Sequence, residues 1–66
     1  MFIPLHRRSD GVAQLFNLSF IRSFTDLKPA VGTLVVWDDD SYIEVAETIQ
    51  AVRMLILRAA QVNNAT

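Results

Sequence analysis

The sequence has no cysteine, one histidine, two glycines and two prolines in 66 residues. Without cysteine there is no disulfide, no thiolate-held metal and no redox pair, so a chain of this size has only packing to hold it together. A single histidine excludes a His-His metal site within one chain, and no serine stands in a nucleophile-elbow sequence. Neither Gly11 nor Gly32 lies in a phosphate loop or a dinucleotide fingerprint, and each has a turn to explain it. Unbroken apolar runs reach no further than Met54-Leu55-Ile56-Leu57, far short of the ~18 residues that span a bilayer. Charge of one sign is also lacking: six basic and seven acidic residues leave a net charge of −1, too little to concentrate the chain on nucleic acid or an anionic membrane. The start, Met1-Phe2-Ile3-Pro4-Leu5-His6-Arg7-Arg8, sets its apolar residues before the charges and holds no apolar stretch of signal-peptide length. These absences lead to the expectation of a cytoplasmic protein without membrane insertion.

What the chain has in excess is apolar surface. It is 52% hydrophobic and 20% charged, where ordinary domains run at roughly 45–50% and about 25%. A domain of this length buries only about 60% of the surface its unfolded chain exposes. Apolar area is therefore left over, and its usual outlet is a homo-oligomeric or partner interface.

Turn residues divide the chain into short segments. Phe2 to Arg7 reads as a strand, ended by Ser9-Asp10-Gly11, where Asp-Gly tolerates the positive φ of a tight hairpin. Val12 to Phe16 should pair back on it. Pro4 has no N–H, so its strand is either an edge or turns that position away from its neighbour. Asn17-Leu18-Ser19 interrupts with side chains that bond nearby backbone. A third strand follows over Phe20 to Phe24, whose alternation puts Phe20, Arg22 and Phe24 on one face and Ile21, Ser23 and Thr25 on the other. Lys28-Pro29-Ala30-Val31-Gly32 is a loop. Thr33 to Trp37, β-branched and aromatic, is the clearest strand, Asp38-Asp39-Asp40 turns the chain, and Ser41 to Val45 is the last strand.

From about Glu47 to about Gln61 the period becomes helical, with Glu47 expected in the first turn and Thr48 as cap or first-turn residue. At 100° per residue Ile49, Val52, Leu55, Ile56, Ala59, Ala60 and Val62 share one half of the circumference. Ile49, Val52, Ile56 and Ala59 are expected to face the sheet. Met54 and Leu57 fall among the polar positions Gln50, Arg53, Arg58 and Gln61, where packing on the sheet would leave them in water. Met54, Leu57, Arg53 and Arg58 are therefore the candidate interface, and a homo-oligomer is expected to form through these remaining apolar positions of the helix or through the other face of the sheet. The expected architecture is α+β: a small antiparallel meander of four to five strands with one C-terminal helix packed on the sheet, one domain over 1–62, and a loose tail over 63–66.

Other clusters point less clearly to chemistry. Asp38-Asp39-Asp40 supplies carboxylates of the kind calcium and magnesium prefer, but consecutive residues point alternately to opposite sides and no calcium-loop spacing surrounds them; a solvated turn accounts for them. A nucleic-acid surface would enlist His6, Arg7, Arg8, Arg22 and Lys28 with Phe20, Phe24, Trp37 or Tyr42 as stacking partners. Aromatics in so small a domain are more often core, and the acidic turn would repel a phosphate backbone. No pair of groups suited to acid-base or nucleophilic work stands out, and no catalytic, cofactor or metal residue is expected.

The order of signals resembles a known family. A strand, a turn at Gly11, Phe16-Asn17-Leu18-Ser19-Phe20-Ile21, the Thr-led strand Thr33-Leu34-Val35-Val36, and Val45-Ala46-Glu47-Thr48 opening a helix are similar to the small flagellar proteins called FlbD or SwrD. The likeness covers about residues 1–57 and is carried by Gly11, Asn17, Ile21, Thr33, Val45, Glu47 and Val52. It departs at Asp38-Asp39-Asp40, where the family usually has glycine, and at Thr48, where serine is usual. The resemblance implies a non-enzymatic accessory of bacterial motility without a cofactor. The sequence thus leads to a protein-protein interaction module that assembles with itself and with another protein. Its rivals are a small nucleic-acid binder and a phage or mobile-element protein that modulates a host protein.

Overall fold

Five strands and one helix follow in the order β1 (Phe2–His6), β2 (Ala13–Asn17), a single 3-10 turn (Leu18–Phe20), β3 (Ile21–Asp26), β4 (Thr33–Trp37), β5 (Tyr42–Val45) and α1 (Ile49–Asn64). They come from a computed structural model that describes residues 1–64, with side chains described as far as Gln61. The expected α+β architecture, an antiparallel β-structure followed by a helix packed on it, is the one observed. The helix runs on through Asn63 and Asn64, further than its periodicity indicated. The remainder of the tail expected over 63–66, residues 65 and 66, lies outside the described residues, as does the side chain of Val62.

The strands form two antiparallel sheets, β1-β2 and β3-β4-β5. The first is a hairpin closed by Arg7 to Val12: Gly11 takes φ 72°, its N–H donates to Arg7 O, and Asp10 Oδ1 accepts from Val12 N–H. Arg7 N–H donates to Val12 O and Leu18 N–H to Met1 O, so the odd-numbered residues of β1 carry the rungs to β2. Pro4, paired with Leu15, therefore occupies a position whose missing N–H would have pointed away from β2. Pairing between Arg7 and Val45 joins the two sheets, helped by Arg8 N–H to Glu44 O and Ala46 N–H to His6 O.

Side-chain alternation across these pairs builds the core. Ile3 and Leu5 of β1, Phe16 of β2, Val35 of β4, Val45 of β5 and Val52 of the helix are buried together. Phe16 stacks on Trp37 at 5.6 Å between ring centroids, linking the hairpin to the second sheet. On β3 the expected two-faced alternation does not hold. A bulge at Arg22 separates Ile21, paired with Trp37, from Ser23, paired with Val36. The extra residue shifts the pleat by one, so Ile21 and Phe24 both pack against the core, and Phe20 remains in the 3-10 turn with its ring exposed.

Thr48 caps the helix: its Oγ1 accepts from Ala51 N–H at 3.1 Å and its carbonyl accepts from Val52 N–H. Glu47 is consequently not in the first turn, which holds no acidic residue; it precedes the cap and its carboxylate turns toward β1. Thr33, fully buried, anchors the same corner by donating its hydroxyl to Glu47 O at 2.8 Å.

Candidate functional site

The helix lies across the core with Val52 buried and Leu55, Ile56 and Ala59 packed against it. Spacing of three and four residues puts these on one face, and the same geometry turns Met54 and Leu57 outward. Met54 is 57% and Leu57 48% exposed. Beside them a cleft of about 340 Å³ opens between helix and sheet, lined by Phe24, Ile49, Gln50, Arg53, Ile56 and Leu57. Ile49, expected to face the sheet, lines this cleft together with Phe24 of β3. The bulge at Arg22 brings Phe24 to the core side of β3, so its ring can complete the wall.

Charge marks the same surface. Arg7 makes a two-pronged contact with Asp10 (Nη2 to Oδ2 2.7 Å, Nε to Oδ1 3.2 Å), Arg8 reaches Glu44 at 3.2 Å, and Arg22 pairs with Asp40. Among the described residues Arg53 and Arg58 have no such partner, and the helix carries no acidic residue. The four residues singled out by helical spacing thus combine two exposed apolar side chains with two unneutralised cations. The sequence pattern places Phe24, Ile49 and Ile56 in the core or on the sheet-facing side, and nothing in it shows that packing leaves a cleft between them.

The residues of a nucleic-acid surface are placed differently. Arg7, Arg8 and Arg22 are held by Asp10, Glu44 and Asp40, and Lys28 lies in the β3-β4 loop. Phe24 and Trp37 face the core, whereas Phe20 and Tyr42 are exposed. The acidic triplet is a turn: Ser41 donates its N–H and its hydroxyl to Asp39 Oδ1, and Asp40 adopts φ 70° with its N–H on Trp37 O. The two hydrogen bonds from Ser41, side chain first, hold the Asp39 carboxyl below its ordinary value. Among the described residues no group of three or more His, Asp or Glu side chains converges as a metal site would require, and no helix is long and apolar enough to cross a membrane.

His6, which falls within the first strand expected from sequence, has a specific partner. Its backbone N–H donates to Glu47 Oε1 at 2.9 Å, and its Nδ1 lies 2.6 Å from Glu47 Oε2. Burial alone would push the Glu47 carboxyl up, but the His6 side chain and backbone outweigh it and hold the group below its ordinary value of 4.5. A carboxyl lowered on folding contributes stability above its unfolded pKa and loses that contribution as pH falls through the folded value. The urea midpoint should therefore drop between about pH 5 and about pH 3, and Glu47→Gln should flatten part of the drop. Asp10, held low chiefly by its bond from Val12 N–H, and Asp39 act in the same direction, weakened by solvent because both carboxyls are exposed. Urea unfolding at a series of pH values checks this; an unchanged slope in Glu47→Gln would exclude the clamp.

Compared with protein-family models, curated proteins and solved structures, the chain matches none.

Proposed function

We propose that the protein is a non-enzymatic interaction module that works as a homo-oligomer and binds another protein through the face of α1. The observation that carries this reading is the apolar cleft that has Leu57 and the unneutralised Arg53 in its wall, with exposed Met54 and the unneutralised Arg58 on the adjoining outer surface of the helix. Apolar walls give an amphipathic segment somewhere to bury its anchors, and the arginines favour one that carries acidic residues. A second copy of the same helix fits this face poorly. Antiparallel pairing about an axis between Leu55 and Ile56 would set Arg53 against Arg58, a like-charge contact at the rim. The resemblance to the flagellar family supplies a physiological setting, an accessory role in bacterial motility.

A photoreactive side chain at Met54 should form a discrete adduct with another protein in the producing cell. The adduct should be lost when Arg53→Glu and Leu57→Glu are added, and absent when the probe replaces Tyr42, which is equally open to solvent at 71% exposure. Equal labelling from both positions would remove the helix face from consideration. For the motility setting, deletion of the gene should impair swimming or swarming, and wild-type movement would count against it.

A further inference from the structure

The homo-oligomer needs a self-contact, and the backbone offers one away from the helix. Because the odd-numbered residues of β1 carry the rungs, the partners of Phe2, Pro4 and His6 on β2, namely Asn17, Leu15 and Ala13, turn their N–H and C=O groups away from β1. Among the described residues no strand pairs with that side of β2. An open strand edge is a template for another chain, and proteins usually blunt it with charge, proline or a bulge.

The free edges differ in this respect. β3 has a bulge at Arg22, an ion pair from Arg22 to Asp40, and Asp26, whose Oδ1 accepts from Lys28 N–H. Along β1, the side turned away from β2 carries Pro4, which has no N–H to offer, and His6, whose N–H and C=O are taken by Glu47 and Ala46. β2 has no bulge, charge or proline, and only at its end does the 3-10 turn draw on the edge, through the Asn17 carbonyl that caps it. Its register with β1 is regular throughout, and no charged residue or proline occurs between Asp10 and Arg22. The outer face of the hairpin is also apolar, with Leu15 67% and Phe2 58% exposed beside Pro4 and Ala13.

We infer that β2 is the self-association edge, pairing antiparallel with β2 of a second copy about a two-fold axis at Leu15. In that register Leu15 exchanges its backbone hydrogen bonds with Leu15 of the other copy, and Ala13 exchanges with Asn17. The hairpins join into one sheet, β1-β2-β2-β1, and the exposed Leu15 and Phe2 side chains of both copies form a continuous apolar strip on one face. An isologous β2-β2 contact uses the open edge of both copies at once, so pairing closes at two copies rather than propagating into a fibre. The α1 cleft stays open in such a dimer. The inference rests on the homo-oligomer part of the proposed function and is independent of what the cleft binds.

Two measurements on the whole chain decide it. Amide exchange by NMR should show Gln14 and Phe16 protected at every concentration, and Ala13, Leu15 and Asn17 gaining protection together as concentration rises through the micromolar range. Sedimentation equilibrium should give a dimer that Leu15→Lys weakens at least tenfold, because the axis places the two introduced charges directly opposite each other. Leu57→Glu and Tyr42→Lys should leave the dimer intact. Leu15 is exposed, so Leu15→Lys should retain the Trp37 fluorescence of the folded state. Rapid exchange at Ala13, Leu15 and Asn17 in a dimeric sample would overturn the inference, as would a wild-type monomer at several hundred micromolar. Dissociation by Leu57→Glu but not by Leu15→Lys would overturn it too, and would move the self-contact to the helix while leaving the interaction-module reading intact.

Discussion

Gly32→Ala should leave the protein largely unfolded at 25 °C, whereas Gly11→Ala should leave it folded. Both glycines have positive φ, 138° at Gly32 and 72° at Gly11, but their surroundings differ. A Cβ on Gly32 would come 2.5 Å from Val45 O and 3.2 Å from Leu27 Cδ1, while one on Gly11 meets nothing within 4 Å. The Val45 carbonyl is backbone at the junction where Arg7 joins the two sheets, so it cannot move aside without disturbing that pairing. Backbone strain alone costs about 1–3 kcal/mol, and the clash adds to it. A chain of 66 residues has roughly 3–10 kcal/mol in total. Gly11→Ala, with strain and no clash, should cost about 1 kcal/mol. Urea titrations followed by Trp37 fluorescence measure both, and equal losses would show that close approach at Gly32 is unimportant.

How much of this could be read in advance depends on whether the cause was local. The hairpins were legible because Asp10-Gly11, Pro29 with Gly32, and Asp38-Asp39-Asp40 bring the turn chemistry with them, and Thr48 announces its own cap. Exposure of Met54 and Leu57 follows from helical period alone. The bulge at Arg22 was not legible, because an inserted residue looks like any other strand residue until its partner strand is known. That one residue reversed the faces of β3 and moved Phe24 into the wall of the cleft. The partner of His6 stands at Glu47, too distant in sequence for any spacing rule, and the charge of Glu47 suits a helical first turn as well as it suits a histidine partner. The asymmetry between β2 and β3 has a similar origin. Which strand is left at an edge is a property of topology, and the lack of charge around β2 acquires meaning only once that edge is found to be open.

Phe16→Ala should have the second large effect, and its size tests how the two sheets are held together. Among the described residues backbone pairing joins them at one end, around Arg7, Arg8 and Val45. Elsewhere the hairpin is held by side chains, and from β2 only Phe16 is buried, at 1% exposure. Truncation removes the ring from its stack on Trp37 and opens a cavity against Ile3, so a loss of about 3–5 kcal/mol is expected, again close to the whole stability of the chain. Phe16→Leu keeps most of the volume and gives up the aromatic contact, and should cost under about 1.5 kcal/mol. Since Trp37 is the single tryptophan, its fluorescence reports the stacking partner directly. If Phe16→Ala changes that emission but lowers stability by less than about 1 kcal/mol, the hairpin is held chiefly by Ile3, Leu5 and the backbone junction. The two sheets would then be coupled through β1 alone, and β2 would be free to respond to a partner strand without disturbing the core.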